Sequence, residues 1–327
     1  MPTQSVLLTG STGLIGSHVA RKLAQLPDVR TVCIVREGTK HPRAQSLLQV
    51  GATLVSGDFF DEEVVKRTFE QYEIRQVVHL AAIRGGRKAT PAEFLRVNVE
   101  GTELLLRKAY EHRVQKFVLC SSVGVYGAVP VMVPAGLDTP LRGENVYHRT
   151  KIAAEETVER YIQKGLNAYI VRPPITYGAG DDGFPQTLIH LVRRHLLWLP
   201  STNYQIHLID VERLGDIFLN LVQKDQCKRR IFIAADAEPV LLKDLVDLIH
   251  CYFYGRSYPR YLRLPDWTFK LALRLFEALG NEKWAARVAL LSGDWYYQCS
   301  ETYRTLGIPA VPTREGFGLF LRNNFPR

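Results

Sequence analysis

The sequence has few cysteines and none of the patterns that would join them. They number five, and no two form a C-x-x-C pair or share a metal-ligand spacing with histidines. Neither a disulfide framework nor a metal site is therefore expected. The sequence also lacks a run of about 18 uninterrupted apolar residues and a basic leader. We expect a protein of the reducing cytoplasm with no integral membrane segment.

Acidic residues are in the minority. The chain has 33 Asp and Glu against 42 Lys and Arg, which gives a formal net charge of +9 and a pI near 9.3. The basic residues occur in short groups such as Arg193-Arg194 and 228–230, without a continuous basic arm. This distribution disfavours nucleic acid as a partner and leaves an anionic small molecule or a solvated surface as the reason for the charge.

Short apolar runs alternate with helical stretches in the first half of the chain. The runs lie at 5–8, 31–35, 53–55, 77–81, 117–120 and 168–171. They are apolar at nearly every position, which is typical of strands that helices cover on both faces. The pattern predicts an α/β fold with a doubly wound parallel sheet of the Rossmann type.

A chain of 327 residues exceeds the usual size of one core, so a second, smaller lobe is expected. Residues 1–172 are predicted to form the dinucleotide-binding domain, with a return near 206–235. Segments 173–205 and 236–327 are predicted to form an interleaved substrate-binding lobe. An extended stretch is expected at 204–209, a strand at 230–234, and helices at 185–197, 210–223 and 243–254.

The turn at 9–16 reads TGSTGLIG and precedes a helix expected at 18–26. Gly10 and Gly13 allow the backbone to approach a pyrophosphate, and Gly16 permits close helix packing. The helix N-terminus supplies N–H groups and positive potential. An ordinary glycine-rich turn is the alternative, but the position between strand and helix favours a dinucleotide site.

The end of the second strand is where a Rossmann site usually places an acid that binds the adenosine ribose. Arg36 stands there instead, and a guanidinium would pair with a 2′-phosphate, so NADP is preferred and NAD remains possible. Glu37 is the competing residue, because a shift of one position would direct its carboxylate to the ribose. Asp58 follows the third strand, where it would accept a hydrogen bond from adenine or cap the helix near Asp61.

Tyr147 and Lys151 are four residues apart, which on a helix places both on one face. A tyrosine has a pKa near 10, and the charges of Lys151 and a cationic nicotinamide would lower it toward neutrality. Tyr147 would then act as general acid or base. Ser122 follows the apolar run at 117–120 and is therefore expected at the carboxyl edge of the sheet, where such folds bind ligands. An exposed helix and a simple chain turn are the alternative interpretations.

Together these motifs resemble the extended short-chain dehydrogenase/reductases, the superfamily of 3β-hydroxysteroid dehydrogenases, dihydroflavonol reductases and nucleotide-sugar epimerases. The matching pieces are TGSTGLIG from Thr9, SGDFFD from Ser56, VVHLAA from Val77, NVEGT from Asn98, SSVGVYG from Ser121, YHRTK from Tyr147 and RPPITYGAGD from Arg172. The resemblance implies that Ser122, Tyr147 and Lys151 form the catalytic set. It implies a cofactor site made of Gly10, Thr12, Gly13, Leu14, Ile15, Gly16, Arg36, Asp58, Phe59, Ala81, Ala82, Asn98, Tyr147, Lys151 and Pro173, and it leaves a homodimer open.

The sequence departs from the nucleotide-sugar members of that superfamily at one position. Those members carry an arginine for the substrate diphosphate, and the aligned residue here is Asn203, although Arg193 and Arg194 would be able to compensate. The segment from 264 onward is rich in aromatic residues, which form either an apolar pocket or the core of the small lobe. We expect an oxidoreductase for a carbonyl or secondary alcohol on a largely apolar small molecule. The alternatives are a nucleotide-sugar epimerase or dehydratase and a non-catalytic cofactor-binding protein.

Overall fold

The computed structural model describes residues 4–326, and the chain forms two compact units. Unit 1 contains the chain up to Val125, Val146–Pro173 and Glu212–Phe232. Unit 2 contains Tyr126–Asn145, Pro174–Val211 and the chain from Ile233 onward.

The strands and helices alternate along the chain. The strands are β1 (Gln4–Thr9), β2 (Val29–Val35), β3 (Thr53–Ser56), β4 (Ile74–His79), β5 (Lys116–Cys120), β6 (Ala168–Arg172), β7 (Ile175–Tyr177), β8 (Leu199–Pro200), β9 (Gln205–Ile206), β10 (Leu208–Asp210), β11 (Ile231–Ile233), β12 (Val240–Leu241) and β13 (Arg263–Leu264). The helices are α1 (Leu14–Ala24), α2 (Ala44–Gln49), α3 (Glu62–Tyr72), α4 (Pro91–Leu95), α5 (Gly101–Glu111), α6 (Val146–Gln163), α7 (Phe184–Arg193), α8 (Val211–Gln223), α9 (Leu242–Tyr254), α10 (Asp266–Ala278), α11 (Glu282–Leu291), α12 (Ser300–Leu306) and α13 (Thr313–Asn324). A π-helical turn, Arg96–Glu100, joins α4 to α5.

Unit 1 is built on a seven-stranded sheet of order β11-β6-β5-β4-β1-β2-β3. Strands β1 to β6 pair in parallel. Both β5 and β6 are buried at every position, as expected for strands covered on both faces. The doubly wound parallel sheet predicted from the sequence is confirmed.

The strand order reverses between β1 and β4, which are neighbours in the sheet although two strands separate them in the chain. In open α/β sheets a ligand binds at the carboxyl ends of the strands at such a switch point. Thr9 ends β1 and His79 ends β4 at this place. The sheet therefore fixes where a cofactor site is to be sought.

Two predicted domain boundaries are corrected by the structure. The segment 126–145 was assigned to the Rossmann domain but belongs to unit 2, because Ala135 bonds to the backbone of Tyr296 at 2.8 Å and of Gln298 at 2.9 Å. The return to unit 1, expected near 206–235, begins at Glu212, and its strand β11 joins the main sheet as expected for the strand at 230–234. The extended stretch at 204–209 stays outside that sheet. It forms two strands, β9 and β10, which pair with β12 and β7 in separate small sheets.

Unit 2 has an aromatic core. Trp295 and Tyr177 are fully buried, and the Tyr177 ring lies 5.0 Å from that of Phe317. The predicted aromatic C-terminal segment is therefore divided: Trp295 and Tyr297 belong to the core, whereas Trp284 is 47% exposed. Within residues 4–326, no helix is both long and apolar enough to cross a membrane.

Candidate active site

The glycine turn between β1 and α1 is shaped by close backbone contacts. Gly10 has φ +73°, and a Cβ on it would lie 2.7 Å from the backbone nitrogen of Ala81. A Cβ on Gly16 would lie 2.0 Å from the carbonyl oxygen of Gly10. A side chain at either position would displace backbone, so the turn holds α1 against β1 and against the residues after β4.

The first turn of α1 suits an anion. Helix α1 begins at Leu14, earlier than the expected residue 18, so its N-terminus follows Gly13 directly. In the described structure no side chain caps this end, and no acidic residue lies in its first turn. The uncapped N–H groups and the positive end of the helix dipole are those that bind a pyrophosphate. Thr12, Gly13, Leu14 and Ile15 thus fit the dinucleotide that the sequence predicts.

Arg36 and Asp58 form one ion pair at the ends of β2 and β3. The Nε atom of Arg36 donates to Asp58 Oδ1 at 2.8 Å, and the guanidinium is largely exposed. Helix α3 is capped by Asp61, whose Oδ1 accepts from the backbone N–H groups of Glu63 and Val64. The capping alternative for Asp58 is therefore excluded, and its carboxylate positions Arg36.

A second cation near the turn was not found from the sequence. Arg43 donates from Nη1 to the carbonyl oxygen of Thr12 at 2.8 Å, although 31 residues separate them. Arg43 directly precedes α2, where no local motif marks it. Only the folded chain brings its charge to the glycine turn.

A buried polar chain joins β1, β4 and α5 below the switch point. Thr9 Oγ1 lies 2.6 Å from His79 Nδ1, and His79 Nε2 lies 2.9 Å from Thr102 Oγ1. Thr102 donates to the Asn98 carbonyl at 2.7 Å, so its oxygen accepts from the Nε2–H of His79. Burial, with the nearby Lys151 charge, lowers the pKa of His79 to about 3.

Asn98 lies on the π-helical turn and is buried. Its Oδ1 accepts from Ile83 N–H at 2.8 Å, while Nδ2 donates to the Ile83 carbonyl at 3.0 Å and to Thr150 Oγ1 at 3.1 Å. Thr150 is on α6, beside Tyr147. The Asn98 amide thus fixes the loop after β4 to the helix that carries the tyrosine. It supports the site from within, and these three bonds are made to the protein.

Tyr147 and Ser122 come together above the end of β5. The Ser122 hydroxyl is a hydrogen-bond partner of the Tyr147 phenol, and Ser122 Oγ accepts from Gly124 N–H at 3.0 Å. The tyrosine ring is also close to the loop after β4, because a Cβ on Gly85 would lie 3.3 Å from its Cδ1. Serine and tyrosine are therefore able to meet one substrate oxygen.

The protein alone does not lower the pKa of Tyr147. Burial raises it to about 12, against the hydrogen bond from Ser122 and the positive charge of Arg84, which both lower it. The sequence interpretation gave the lowering role to Lys151, and Arg84 was missed. Arg84 stands in the loop 80–90, which has no regular secondary structure before α4 and gave no sequence signal.

Lys151 is buried one turn along α6 from Tyr147. Its Nζ donates to the Cys120 carbonyl at 2.8 Å, and burial lowers the pKa of the ammonium group. Glu155 follows one turn later and forms a buried pair with Arg172, whose Nε lies 3.0 Å from Glu155 Oε1. Carbonyl and carboxylate together offset part of the cost of burying the lysine charge.

Three other residues expected at the cofactor site lie in different parts of unit 1. Phe59 is in the core of unit 1, with its ring 5.2 Å from His79. Ala82 lies partly buried in the loop after β4. Pro173 follows β6 and accepts from the Val123 N–H at 3.0 Å, next to Ser122. The structure thus brings Ser122, Tyr147, Lys151 and Pro173 together and places Phe59 in packing.

Comparison with known proteins agrees with this geometry. Residues 6–216 match the model of the NAD dependent epimerase/dehydratase family. The chain belongs to this family. The predicted resemblance to extended short-chain dehydrogenase/reductases is confirmed, and the protein is an enzyme of the NAD-dependent epimerase and oxidoreductase type.

Individual relatives differ in what they do. The chain is 28% identical to a UDP-glucose 4-epimerase of Vibrio cholerae, over 96% of this chain and 93% of the relative. It is 26% identical to a 4-hydroxy-2-methyl-3-oxo-4-farnesyl-3,4-dihydroquinoline-1-oxide ketoreductase of Stigmatella aurantiaca, over 74% of this chain and 71% of that one. The Bordetella bronchiseptica enzyme WbmH, solved in complex with NAD⁺, shares the fold with a TM-score of 0.74 and 21% identity, covering 98% and 99% of the two chains.

Proposed function

We propose that this protein is a nicotinamide-dependent oxidoreductase that interconverts a ketone and a secondary alcohol on a largely apolar small molecule. Bound at the glycine turn, the cofactor would supply or accept the hydride. Tyr147 exchanges the proton with the substrate oxygen, and Ser122 donates a second hydrogen bond to that oxygen. Lys151 holds a positive charge one helical turn away.

The proposed substrate class is inferred mainly from Asn203. The sequence resemblance aligns it with the diphosphate-binding arginine of the nucleotide-sugar members of the superfamily. Its Oδ1 accepts from the backbone N–H of Lys243 at 3.0 Å, so the side chain ties the chain before β9 to the first turn of α9. A neutral amide engaged in this way does not provide the cation that a buried diphosphate requires.

Arg193, one of the two residues expected to compensate for the missing arginine, is also engaged. The Arg193 guanidinium lies over the Phe253 ring, with its carbon 4.5 Å from the ring centroid. A cation–π contact of this kind positions the charge at the aromatic face. The ketoreductase among the relatives has a farnesylated substrate by name, which supports an apolar substrate for this chain.

We further propose NADP(H) as the preferred cofactor, with NAD(H) as the alternative that the NAD⁺ complex of WbmH favours. Arg36 uses Nε to bind Asp58, and the terminal amino groups of the guanidinium are not part of that bond. Arg43 adds a second positive charge at Thr12. An arginine at the end of β2 and another at the glycine turn would suit a 2′-phosphate. We also propose a cytoplasmic location, which the five free cysteines of this chain support.

The second candidate is a nucleotide-sugar 4-epimerase, which the Vibrio cholerae relative favours. In that reaction the hydride would return to the same sugar, and no cofactor would be consumed. Net cofactor turnover therefore separates the two functions.

The test has two assays. The first follows the oxidation of NADPH or NADH by absorbance in the presence of hydrophobic ketones. The second incubates the enzyme with UDP-, GDP- and dTDP-sugars and looks for epimerised product. We expect stoichiometric NADPH oxidation with a ketone and no epimerised sugar. In Tyr147→Phe, kcat should fall by at least about 100-fold while NADPH binding is retained. Epimerisation of a sugar nucleotide without net cofactor change, and no reaction with any ketone, would favour the epimerase.

A further inference from the structure

Helix α10 carries a stripe of exposed apolar side chains. The α10 stripe consists of Trp267, Leu271, Leu275 and Leu279, which are 65%, 59%, 55% and 69% exposed. They recur every four residues, so they lie along one side of the helix and its C-terminal cap. Four large apolar groups in one row form a continuous surface rather than the scattered exposure that is normal for a folded protein.

The opposite side of α10 faces unit 2. Phe269 is buried, and Phe276 is partly buried with its ring stacked on Trp284 of α11 at 5.9 Å. The helix is therefore apolar on two sides, although one side is enough to hold it in the fold. The α10 stripe is surplus to folding within the described chain.

Basic side chains border the stripe. Lys270 and Arg274 are exposed on the adjoining face of α10, together with the acidic Glu277. Arg287 of α11 is exposed as well, with its guanidinium 4.9 Å from the Trp284 ring centroid. A helix with Trp and Leu on one face and Lys and Arg beside them is the arrangement that lies in the interface of a bilayer.

We propose that α10 and α11 dock this enzyme on the surface of a membrane that contains anionic lipids. The α10 stripe would enter the boundary between headgroups and acyl chains, and Lys270, Arg274 and Arg287 would contact the lipid phosphates. Docking of this kind needs no membrane-spanning segment. It is independent of the proposed reaction, since none of these residues belongs to the candidate active site.

The charges favour a lipid surface over a second copy of the chain. A twofold contact through the α10 stripe would bring the same patch of both copies together. Such a contact would gather the exposed Lys270, Arg274 and Arg287 of both copies around one seam, with Glu277 as the exposed acid of α10, and the excess of like charge repels. Lipid phosphates have the complementary sign.

The experiment measures co-sedimentation of the full chain with phosphatidylcholine vesicles that contain about 30% phosphatidylglycerol or none. We expect binding to the anionic vesicles, weakened in about 0.5 M salt because the charges are then screened. The variant Leu271→Glu/Leu275→Glu should bind at least about tenfold more weakly. Its control is Leu319→Glu, which replaces a 44% exposed leucine of α13. Because all three positions are exposed, the variants should keep the wild-type melting temperature.

Tryptophan fluorescence gives a second readout. Vesicles should shift the emission of the wild type to shorter wavelength, and Trp267→Phe should reduce the shift, with Trp284 of α11 supplying the remainder. Three results overturn the proposal: no binding of the wild type to anionic vesicles, equal binding by the Leu271→Glu/Leu275→Glu variant, or a wild-type dimer that this variant converts to a monomer. The last result would assign the stripe to a second copy.

Discussion

The Tyr147 phenol is held in its neutral form by the protein around it. Burial raises its pKa to about 12, and the contributions of Ser122 and Arg84 in the other direction do not cancel this. A neutral phenol is a proton donor, which is the form required when a carbonyl oxygen is reduced to an alcohol. This is the protonation state that the reductive direction of the proposed reaction requires.

Replacing Arg84 should change the pH dependence of the reaction. Its charge favours the phenolate, so Arg84→Met should raise the apparent pKa of Tyr147 in the pH profile of kcat for alcohol oxidation. We expect kcat at neutral pH to fall about threefold in that direction. The control is Lys88→Met, which removes an exposed charge from the same loop. An identical shift in both variants would mean that Arg84 has no specific effect on the phenol.

Arg36 should select between the two nicotinamide cofactors. In Arg36→Ala the dissociation constant for NADPH should rise about tenfold or more, because a charge-assisted contact to the 2′-phosphate is lost, and that for NADH should change little. Arg30→Ala removes an exposed arginine at the other end of β2 and should affect neither. Titration of intrinsic fluorescence measures the constants of both cofactors for the wild type and the two variants. Equal losses for NADPH and NADH would contradict the assignment.

At the scale of elements, the β1–α1 turn has the least tolerance for added volume. A methyl group at Gly16 would meet the Gly10 carbonyl at 2.0 Å, so Gly16→Ala must separate α1 from β1. We expect the rise in melting temperature on adding NADPH to disappear in this variant. Gly318→Ala is the matched control, since its methyl group would meet only the Arg322 side chain at 3.6 Å within α13. Ala there should stabilise the helix by about 1 kcal/mol, and a normal cofactor response in Gly16→Ala would refute this account of the turn.

The elements of unit 1 were predictable because their signal is local. Most of these apolar runs are buried along much of their length, with β3 the exception, so the sequence alone located β1 to β6 within a few residues. Errors arose at strand ends and in short strands. The apolar run predicted at 77–81 continues past the end of β4 at His79, so Ala81 lies outside the strand. The stretch predicted at 204–209 as one extended piece contains two short strands.

The candidate site was predictable only where residues lie close in the chain. Tyr147 and Lys151 are on one helix, and the glycine turn is continuous. Arg43 and Arg84 reach the site through long-range folding, with no motif to mark them. The exposure of Trp267 was not predictable from the sequence either. A helix that is apolar on two sides has the same residue pattern whether one side or both are buried.

At the scale of the whole molecule, two buried neutral histidines make stability dependent on pH. Burial lowers the pKa of His79 to about 3 and that of His207 to about 4. Nε2 of His207 donates to the Asp236 carbonyl and Nδ1 accepts from Tyr297 N–H, so a proton on Nδ1 would break the second bond. The unfolded chain takes up protons near pH 6.5 and the folded chain does not, so stability is complete above pH 6.5 and is lost as the pH falls toward 4.

We expect the free energy of unfolding to fall by about 1.4 kcal/mol per pH unit for each histidine below pH 6.5. Urea unfolding at intervals from pH 7 to pH 5 measures this slope. In His207→Gln the slope should be about half that of the wild type. A stability that is flat or rises on acidification over this range would show that the two imidazoles are protonated in the folded protein.

The division of the chain between its units has a consequence for biosynthesis. Unit 1 takes its last segment, including the start of β11, from residues up to Phe232, after the chain has contributed two segments to unit 2. The ribosome therefore synthesises β1 to β6 well before β11, the strand that pairs with the edge of β6. At typical rates of synthesis the edge of β6 would stay unpaired for roughly three to twelve seconds. During translation this open edge would be able to pair with a strand of another chain, which is a route to aggregation.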